Sequence, residues 1–226
     1  CTRVTLQYDF TVETMPSGPL YLAVEEPSRF DIEMNGVPVD VDSETGWWVD
    51  RSLRRIPLDP AVLKNGANTL TLTVGYDNGY AGLEIVYLLG RFGTRIENTD
   101  VSITQLPEAL SLGSWVEQGL SFYSGNLTYR TQTTAVYDDN QRVVLQLPAY
   151  RGTAASVLVN GEEAGVIAWE PSEVDVTDLV HSETPFILEI KILGHRRNSH
   201  GPLHLAQDRP PWTGAAQFRA APETLW

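Results

Sequence analysis

Strict alternation of apolar and polar residues is the feature of this sequence that most constrains its fold. In the segment NTLTLTV, one face of an extended chain would carry Leu70, Leu72 and Val74, and the opposite face only threonines. The segment FILEIKI repeats the pattern, and its predicted inward set is Phe186, Leu188, Ile190 and Ile192. Helical periodicity is nearly absent, with room for single helical turns in DPAVLKNG and WVEQGL. Many short alternating runs bounded by Gly, Pro, Asn and Asp predict an all-β chain of the sandwich type.

The size and composition of the chain leave room for two such sandwiches. Its 226 residues are 42% hydrophobic and 20% charged, which is typical of a folded globular chain and not of a disordered one. The 18 glycines and 14 prolines suit an architecture with many turns. A chain of this length can form one large all-β domain or two modest ones.

A weak internal repeat favours two domains. FDIEMNGVPV resembles ASVLVNGEEAG, because in each a strand leads through an Asn-Gly pair, at Asn35 or Asn160, into a second strand. Asn-Gly supplies the positive φ angles of a tight hairpin turn. Downstream, IPLDPAVLKNGANTLTLTV parallels VDVTDLVHSETPFILEIKI. We therefore predict two tandem β-sandwich domains, 1–98 and 99–226, with fewer strands before the hairpin of the first copy, as in a domain cut short at its N-terminus.

Charge and cysteine content exclude several classes of function. A net charge of −13 repels nucleic acid and anionic membrane surfaces, so we expect neither as a partner. The sequence has no run of about 18 apolar residues, so we expect no transmembrane helix. The single cysteine, Cys1, excludes an internal disulfide and a cysteine-based metal site. An N-terminal cysteine fits a lipidated bacterial protein or a plain chain boundary, and we favour the boundary because a strand pattern begins at once.

Several consecutive patterns carry a resemblance to a known family. SGNLTYRT, a VNG turn, PSEVDVTDLV and then an alternating strand resemble the jelly-roll sugar-binding domain of family 2 glycoside hydrolases, which belongs to the galactose-binding-like β-sandwiches. The first half of the chain is similar to accessory β-sandwich regions of large bacterial glycoside hydrolases. The resemblance implies two jelly-roll domains that accompany a catalytic barrel, whose acid and base have no counterparts in this sequence. Such a fold hosts many functions, so the resemblance identifies an architecture more closely than a ligand.

The segment GHRRNSH, which follows FILEIKI closely, concentrates polar side chains. Its candidate ligand-binding residues are His195, Arg196, Arg197, Asn198 and His200. A zinc site is disfavoured because a Gly-Pro pair among the histidines breaks any helix that would align them, and a Ser-His catalytic pair would lack an acidic partner. Two roles stay open, as donors to the vicinal hydroxyls of a sugar or as structural bonds to backbone carbonyls, including those of SGNLTYR. A third is that the loop reaches the active site of a catalytic domain elsewhere.

Aromatic rings provide the second group of candidates, because sugars stack their apolar C–H faces on such rings. The candidate platforms are Trp47, Trp48, Tyr76, Tyr80, Trp169 and Trp212. Adjacent residues of an extended segment point to opposite faces, so one of Trp47 and Trp48 is predicted in the core and the other at the surface. Taken singly, each ring is more often packing than platform.

Arginines and acidic loops offer weaker signals. Arg51, with Arg54 and Arg55 nearby, suits a uronic acid or a sulfate, but in so acidic a chain pairing with neighbouring carboxylates is favoured. Two acidic loops, 40–44 and 138–140, have oxygens for a structural calcium ion but no spaced ligand pattern. We expect no other cofactor.

These observations predict a non-catalytic accessory region of a larger bacterial glycoside hydrolase. It would bind a neutral plant-type glycan by stacking and hydrogen bonds, and its partners would be that carbohydrate and the catalytic domain of the parent chain. A secreted or cell-envelope location fits this role. The alternatives are sandwiches that serve only as scaffold, and a fragment that lends loop residues to a shared glycosidase active site. A hydrolase acting alone is disfavoured, since no paired carboxylates are apparent.

Overall fold

The computed structural model describes residues 2–77, 83, 85–98 and 100–200. They fall into two compact units, one within Cys1–Phe122 and one within Tyr123–Gly201. Strands and short 3-10 turns make up the regular structure of this part of the chain, which contains no α-helix, and the predicted all-β class is confirmed. Within the same residues, no helix is long and apolar enough to cross a membrane.

The described residues of the first unit form ten strands in two sheets. The strands are β1 Thr2–Val12, β2 Ser17–Glu25, β3 Asp31–Met34, β4 Val37–Pro38, β5 Trp47–Trp48, β6 Asp50–Leu58, β7 Gly66–Tyr76, β8 Tyr87–Arg91, β9 Gly93–Glu97 and β10 Asp100–Thr104. The 3-10 turns are Pro27–Arg29, Val41–Ser43, Pro60–Val62 and Val116–Gln118. The sheets have the orders β4-β3-β7-β1-β10-β9 and β5-β6-β2-β8, and every pair is antiparallel except β1 with β10.

A core between these two sheets makes the first unit a β-sandwich. The six-stranded sheet contributes Leu70, Leu72 and Val74, all buried as the alternation predicts, and the four-stranded sheet contributes Leu22 and Ile56. The threonines between those β7 positions are half-buried on the outer face, which fits the period of two of a strand. Burial of the apolar set on one face therefore fixes the register of β7.

In the second unit, residues 123–200 form six strands arranged on the same plan. They are β11 Leu127–Thr134, β12 Val144–Gln146, β13 Ala154–Val159, β14 Glu162–Ile167, β15 Glu173–Asp175 and β16 Pro185–Leu193, with 3-10 turns at Thr177–Leu179 and Arg196–His200. The sheet orders are β11-β16-β13-β14 and β12-β15. In the predicted inward set of β16, Phe186 and Ile192 are buried, and Leu188 packs half-buried against the core.

Strand order shows that the internal repeat is real. The run β4-β3-β7-β1 of the first unit matches β14-β13-β16-β11 of the second, and the β2-β6 pair matches β12-β15. Each unit has two strands before its hairpin, so the expectation of fewer in the first copy is wrong for the described residues. The first unit is the fuller one, because β5, β8, β9 and β10 have no counterpart in the described part of the second.

The segment around the proposed domain boundary is a hairpin of the first unit. β9 and β10 pair with each other, and β10 adds in parallel to β1, so residues on both sides of 98/99 belong to one sheet. The compact unit runs on to Phe122. No local sequence pattern predicts that β10 joins the first unit, because its partner β1 lies at the other end of the unit's sequence.

An asparagine clasp occurs at the same place in both units. Asn35 and Asn160 each begin the hairpin turn with a positive φ, 54° and 51°. The backbone N–H of Asn35 donates to the carbonyl of Thr69 (2.8 Å), and the N–H of Thr69 donates back to Asn35 Oδ1 (3.0 Å). Asn160 and Ile187 exchange the same two bonds, at 2.8 and 2.9 Å. A side chain that tolerates the left-handed region thus ties each hairpin to β7 or β16.

The first clasp extends into a buried amide network. Asn35 Nδ2 also donates to the carbonyl of Val62 and to Asn68 Oδ1, both at 2.8 Å. Asn68 is almost completely buried, and it bonds the backbone N–H and carbonyl of Lys64 and the carbonyl of Gly66. Buried amides of this kind are costly to leave without partners, so the network fixes the turn that precedes β7.

The two clasps predict different responses to the same substitution. Asn35→Asp replaces a donor that faces two oxygens with a carboxylate, so we expect the free energy of unfolding to fall by about 1–3 kcal/mol. Asn160→Asp keeps the only side-chain acceptor that its clasp uses, so we expect a loss under about 1 kcal/mol. Urea denaturation of both variants measures the difference. Equal losses would show that the amide network of Asn35 contributes nothing.

Candidate functional site

The end of each unit that lies away from its Asn-Gly turn carries most of the candidate residues. In the second unit, β14 ends where Ile167 pairs with Ala155, and β13 begins where Ala154 pairs with Leu193, the last residue of β16. Four segments therefore meet at this end, which we call the loop end: 123–126, 147–153, 168–172 and 194–200. By the same register, the loop end of the first unit holds the start of β6 and the end of β7.

Trp169 is the most exposed candidate ring of the second loop end. Its side chain is 81% exposed, and it lies between β14 and β15. Beside it, the carboxylate of Glu170 accepts from the N–H (3.2 Å) and hydroxyl (3.1 Å) of Ser172. Tyr150 donates its hydroxyl to the carbonyl of Ile167 (3.1 Å), which brings the 147–153 segment next to the tryptophan segment. An apolar ring among hydrogen-bonding groups is the arrangement that stacks on a sugar.

The polar GHRRNSH loop is pinned to the segment before β11. The N–H of Gly194 donates to Asn126 Oδ1 (3.2 Å), and Asn198 Nδ2 donates to the carbonyl of Tyr123 (3.3 Å). The sequence left a structural and a sugar-binding role open for this loop. Asn198 makes a bond of the structural kind, because its amide donates to a backbone carbonyl next to the SGNLTYR segment, and its predicted sugar-binding role stays a prediction.

The other residues of that loop keep their status as candidates. His195 is half-buried and Arg196 is exposed. Arg197 and His200 lie in the backbone turn Arg196–His200, and their side chains are outside the described part of the structure. Trp212 also lies outside the described residues.

Trp47 and Trp48 occupy the matching place in the first unit. They form β5, between β4 and β6, as Trp169 lies between β14 and β15. Trp47 is 51% exposed, whereas Trp48 is half-buried and packs on Tyr87 with ring centroids 4.8 Å apart at 55°. Trp47 is thus the surface ring of the predicted pair, but the expectation that the other ring lies in the core is wrong, because Trp48 is only half-buried and is not among the core residues.

The arginines next to these rings have three different environments. Arg54 forms an ion pair with Glu44, and its hydrogen bonds hold the pKa of that carboxyl below its usual range. Arg55 lies with its guanidinium carbon 4.7 Å from the ring centroid of Tyr21, and it donates to the carbonyl of Thr45 (3.0 Å). Arg51 is exposed at the start of β6.

Two tyrosines complete the set of candidates. Tyr76 is half-buried as the last residue of β7, opposite Thr2. Tyr80 lies outside the described residues. Three further tyrosines, Tyr87, Tyr150 and Tyr123, lie at the loop ends and were not predicted from the sequence. Only the register of distant strands brings these three to the loop ends, so no local pattern in the sequence indicates them.

The described residues show where the candidate metal-ligating side chains lie. Among the described residues, no group of three His, Cys, Asp or Glu side chains is placed to hold a metal ion. In the acidic loop 40–44, the side chain of Asp40 accepts from the N–H of Asp42 (3.1 Å) and so caps the turn Val41–Ser43. In the loop 138–140, the N–H of Asp138 donates to Gln141 Oε1 (2.9 Å).

Comparison with known proteins gives similarity at the level of solved structures only. No protein-family model and no curated protein sequence matches the chain. A rhamnosidase from Novosphingobium sp. PP1Y is 16% identical over 91% of this chain and 20% of its own, with a TM-score of 0.36. The α-L-rhamnosidase of Streptomyces avermitilis, complexed with L-rhamnose, is 13% identical over 85% of this chain and 22% of its own, with a TM-score of 0.32.

This chain therefore spans about a fifth of the length of these two glycoside hydrolases. Likeness of this degree carries no argument about activity or ligand. The galactose-binding-like assignment stays a prediction, and the functional case rests on the side chains of the loop ends.

The close packing of Gly194 predicts how firmly the polar loop is held. A Cβ at Gly194 would overlap the carbonyl oxygen of Gly125 and lie 2.6 Å from that of Ser124. We therefore expect Gly194→Ala to lower the free energy of unfolding by about 1–3 kcal/mol, as overpacking does. Thermal denaturation checks this, with Ser124→Ala as a control that adds no volume. An unchanged melting temperature for Gly194→Ala would mean that Gly194 is not closely packed against the 124–125 backbone.

Proposed function

We propose that this chain is a non-catalytic carbohydrate-binding region of a larger bacterial glycoside hydrolase. It holds a plant-type glycan at its loop ends by aromatic stacking and hydrogen bonds, with no proton transfer of its own. Its second partner is the catalytic domain of the parent chain. The gain to that domain is effective concentration, so affinities on the order of micromolar to millimolar suffice.

The observation that carries the proposal is the exposure of Trp169. Large aromatic side chains normally bury most of their area, and a tryptophan left 81% exposed loses that stabilisation unless a ligand covers it. The ring stands on the rigid end of a sandwich, between two strands. Binding residues are often held on loops positioned by a rigid scaffold of this kind.

Hydrogen-bonding groups on neighbouring segments complement the ring. Glu170 offers carboxylate oxygens beside it, and exposed Arg151 and Arg196 bring guanidinium groups from the segments 147–153 and 194–200. Planar donors and acceptors of this type suit the vicinal hydroxyls of a pyranose. The ring and these groups together provide both halves of sugar recognition.

A scaffold function is the second candidate, and the pinned polar loop favours it. Gly194 and Asn198 donate hydrogen bonds to the segment before β11, which is typical of a purely structural loop. In that case the sandwiches bind no sugar and stabilise the parent enzyme. The two candidates differ in one measurable property, which is affinity of the isolated chain for glycans.

Retention on insoluble plant polysaccharides decides between them. We expect the chain to be retained on at least one of cellulose, xylan, mannan and galactan. Trp169→Ala should weaken retention about five- to thirtyfold, because a stacked ring contributes on the order of 1–2 kcal/mol. Its melting temperature should not change, because the side chain is largely exposed.

Val136→Ala is the matched control for this variant. Val136 is 78% exposed just beyond the end of β11, at the opposite end of the same unit. Retention of this variant should equal that of the unaltered chain. Failure of the unaltered chain to bind any of the polysaccharides would favour the scaffold candidate, and turnover of an aryl glycoside by the purified chain would contradict the non-catalytic part of the proposal.

A further inference from the structure

The duplication places an exposed tryptophan at the same topological position twice. In each unit, the Asn-Gly hairpin is followed by a connection that leads to the strand before a 3-10 turn, Pro60–Val62 or Thr177–Leu179. Trp47 lies on that connection in the first unit, and Trp169 lies on it in the second. The first connection runs beside β6, where Trp47 is opposite Arg54, and the second leaves β14 at Ile167, at the end away from its asparagine clasp.

Both rings are accessible, although their surroundings differ. Trp47 is 51% exposed and Trp169 is 81% exposed. Either value leaves a large part of the residue's surface open to a ligand. Neither tryptophan belongs to the buried core clusters of the described residues.

Polar groups stand beside Trp47 as they do beside Trp169. Arg54 is directly opposite Trp47 across the β5–β6 ladder, and its hydrogen bond from Nε to Glu44 measures 2.9 Å. The ion pair places a carboxylate and a guanidinium beside the strand that carries the ring, and Arg51 is exposed near the start of β6. Fixed donors and acceptors next to an open ring suit sugar hydroxyls.

We infer that each unit holds a carbohydrate site of its own, so that one chain binds two glycan ligands. The first site is built on Trp47 with Arg51, Arg54 and Glu44, and the second on Trp169 with Glu170. All the side chains of each site belong to a single unit. The inference rests on the proposed function and adds the number of sites and the ring that serves each one.

Titration followed by the indole N–H signals of the six tryptophans in a ¹⁵N–¹H NMR spectrum tests this inference. Single Trp→Phe variants assign the signals. The probes are short oligosaccharides prepared from xyloglucan, arabinoxylan and galactan, each titrated separately. We expect the Trp47 and Trp169 signals both to shift, and the signal of Trp115 to stay in place.

Two variants establish whether the sites are separate. In Trp169→Ala, the Trp47 signal should still shift with a dissociation constant within about twofold of the original value, since independent sites are additive. In Trp47→Ala, the Trp169 signal should behave likewise. Val37→Ala is the control for the first unit, because Val37 is exposed beside the Asn-Gly turn, at the end away from Trp47.

Three results would overturn the inference. If Trp169 shifts and Trp47 does not, the chain has one site, and the proposed function stands without its duplication. If removal of either ring abolishes the shift of the other, the rings serve a single shared site. If no signal shifts with any probe and no polysaccharide retains the chain, the proposed function fails as well.

Discussion

The structure depends on one interaction, the exchange of two hydrogen bonds between a turn asparagine and the strand that follows in the sheet. Asn35 and Asn160 adopt a left-handed backbone conformation that few side chains tolerate, and each uses its amide oxygen to replace a missing ladder partner. This clasp sets the start of β7 or β16 against the hairpin. Once that start is fixed, the buried alternation of the strand determines where its far end falls.

The sequence predicted the architecture because the signals for it are local. The alternation of apolar and polar residues is enough to predict β7 and β16, and the Asn-Gly pairs predict the two hairpin turns from their backbone preference. The pairing of strands that are far apart in the sequence has no local signal of this kind. The parallel addition of β10 to β1, the two strands before the first hairpin, and the placement of Tyr87 against Trp48 all depend on which strands meet in space. The candidate site has the same limitation. The sequence indicated individual aromatic residues, but it did not indicate that they group at the loop ends.

The clasped end and the loop end have different chemistry. At the clasp, amide groups bond each other and the backbone, and Asn68 is buried with every polar atom satisfied. At the loop end, tryptophan rings and guanidinium groups face solvent. In both units the Asn-Gly end has the same hydrogen bonds, whereas the residues of the loop end differ. The two copies can therefore share one strand order and still expose different side chains. The proposed binding of an uncharged glycan is compatible with the strongly acidic chain, since stacking and hydroxyl recognition do not depend on net charge.

Amide hydrogen exchange of the chain, with and without a plant oligosaccharide, tests this division of the unit most directly. The account predicts that the amides of Thr69 and Ile187, which donate to the asparagine side chains, exchange slowly in both states. It also predicts that the sugar slows exchange in the connections that carry Trp47 and Trp169. Fast exchange at Thr69 and Ile187, or slowing by the sugar confined to the Asn-Gly turns, would contradict it.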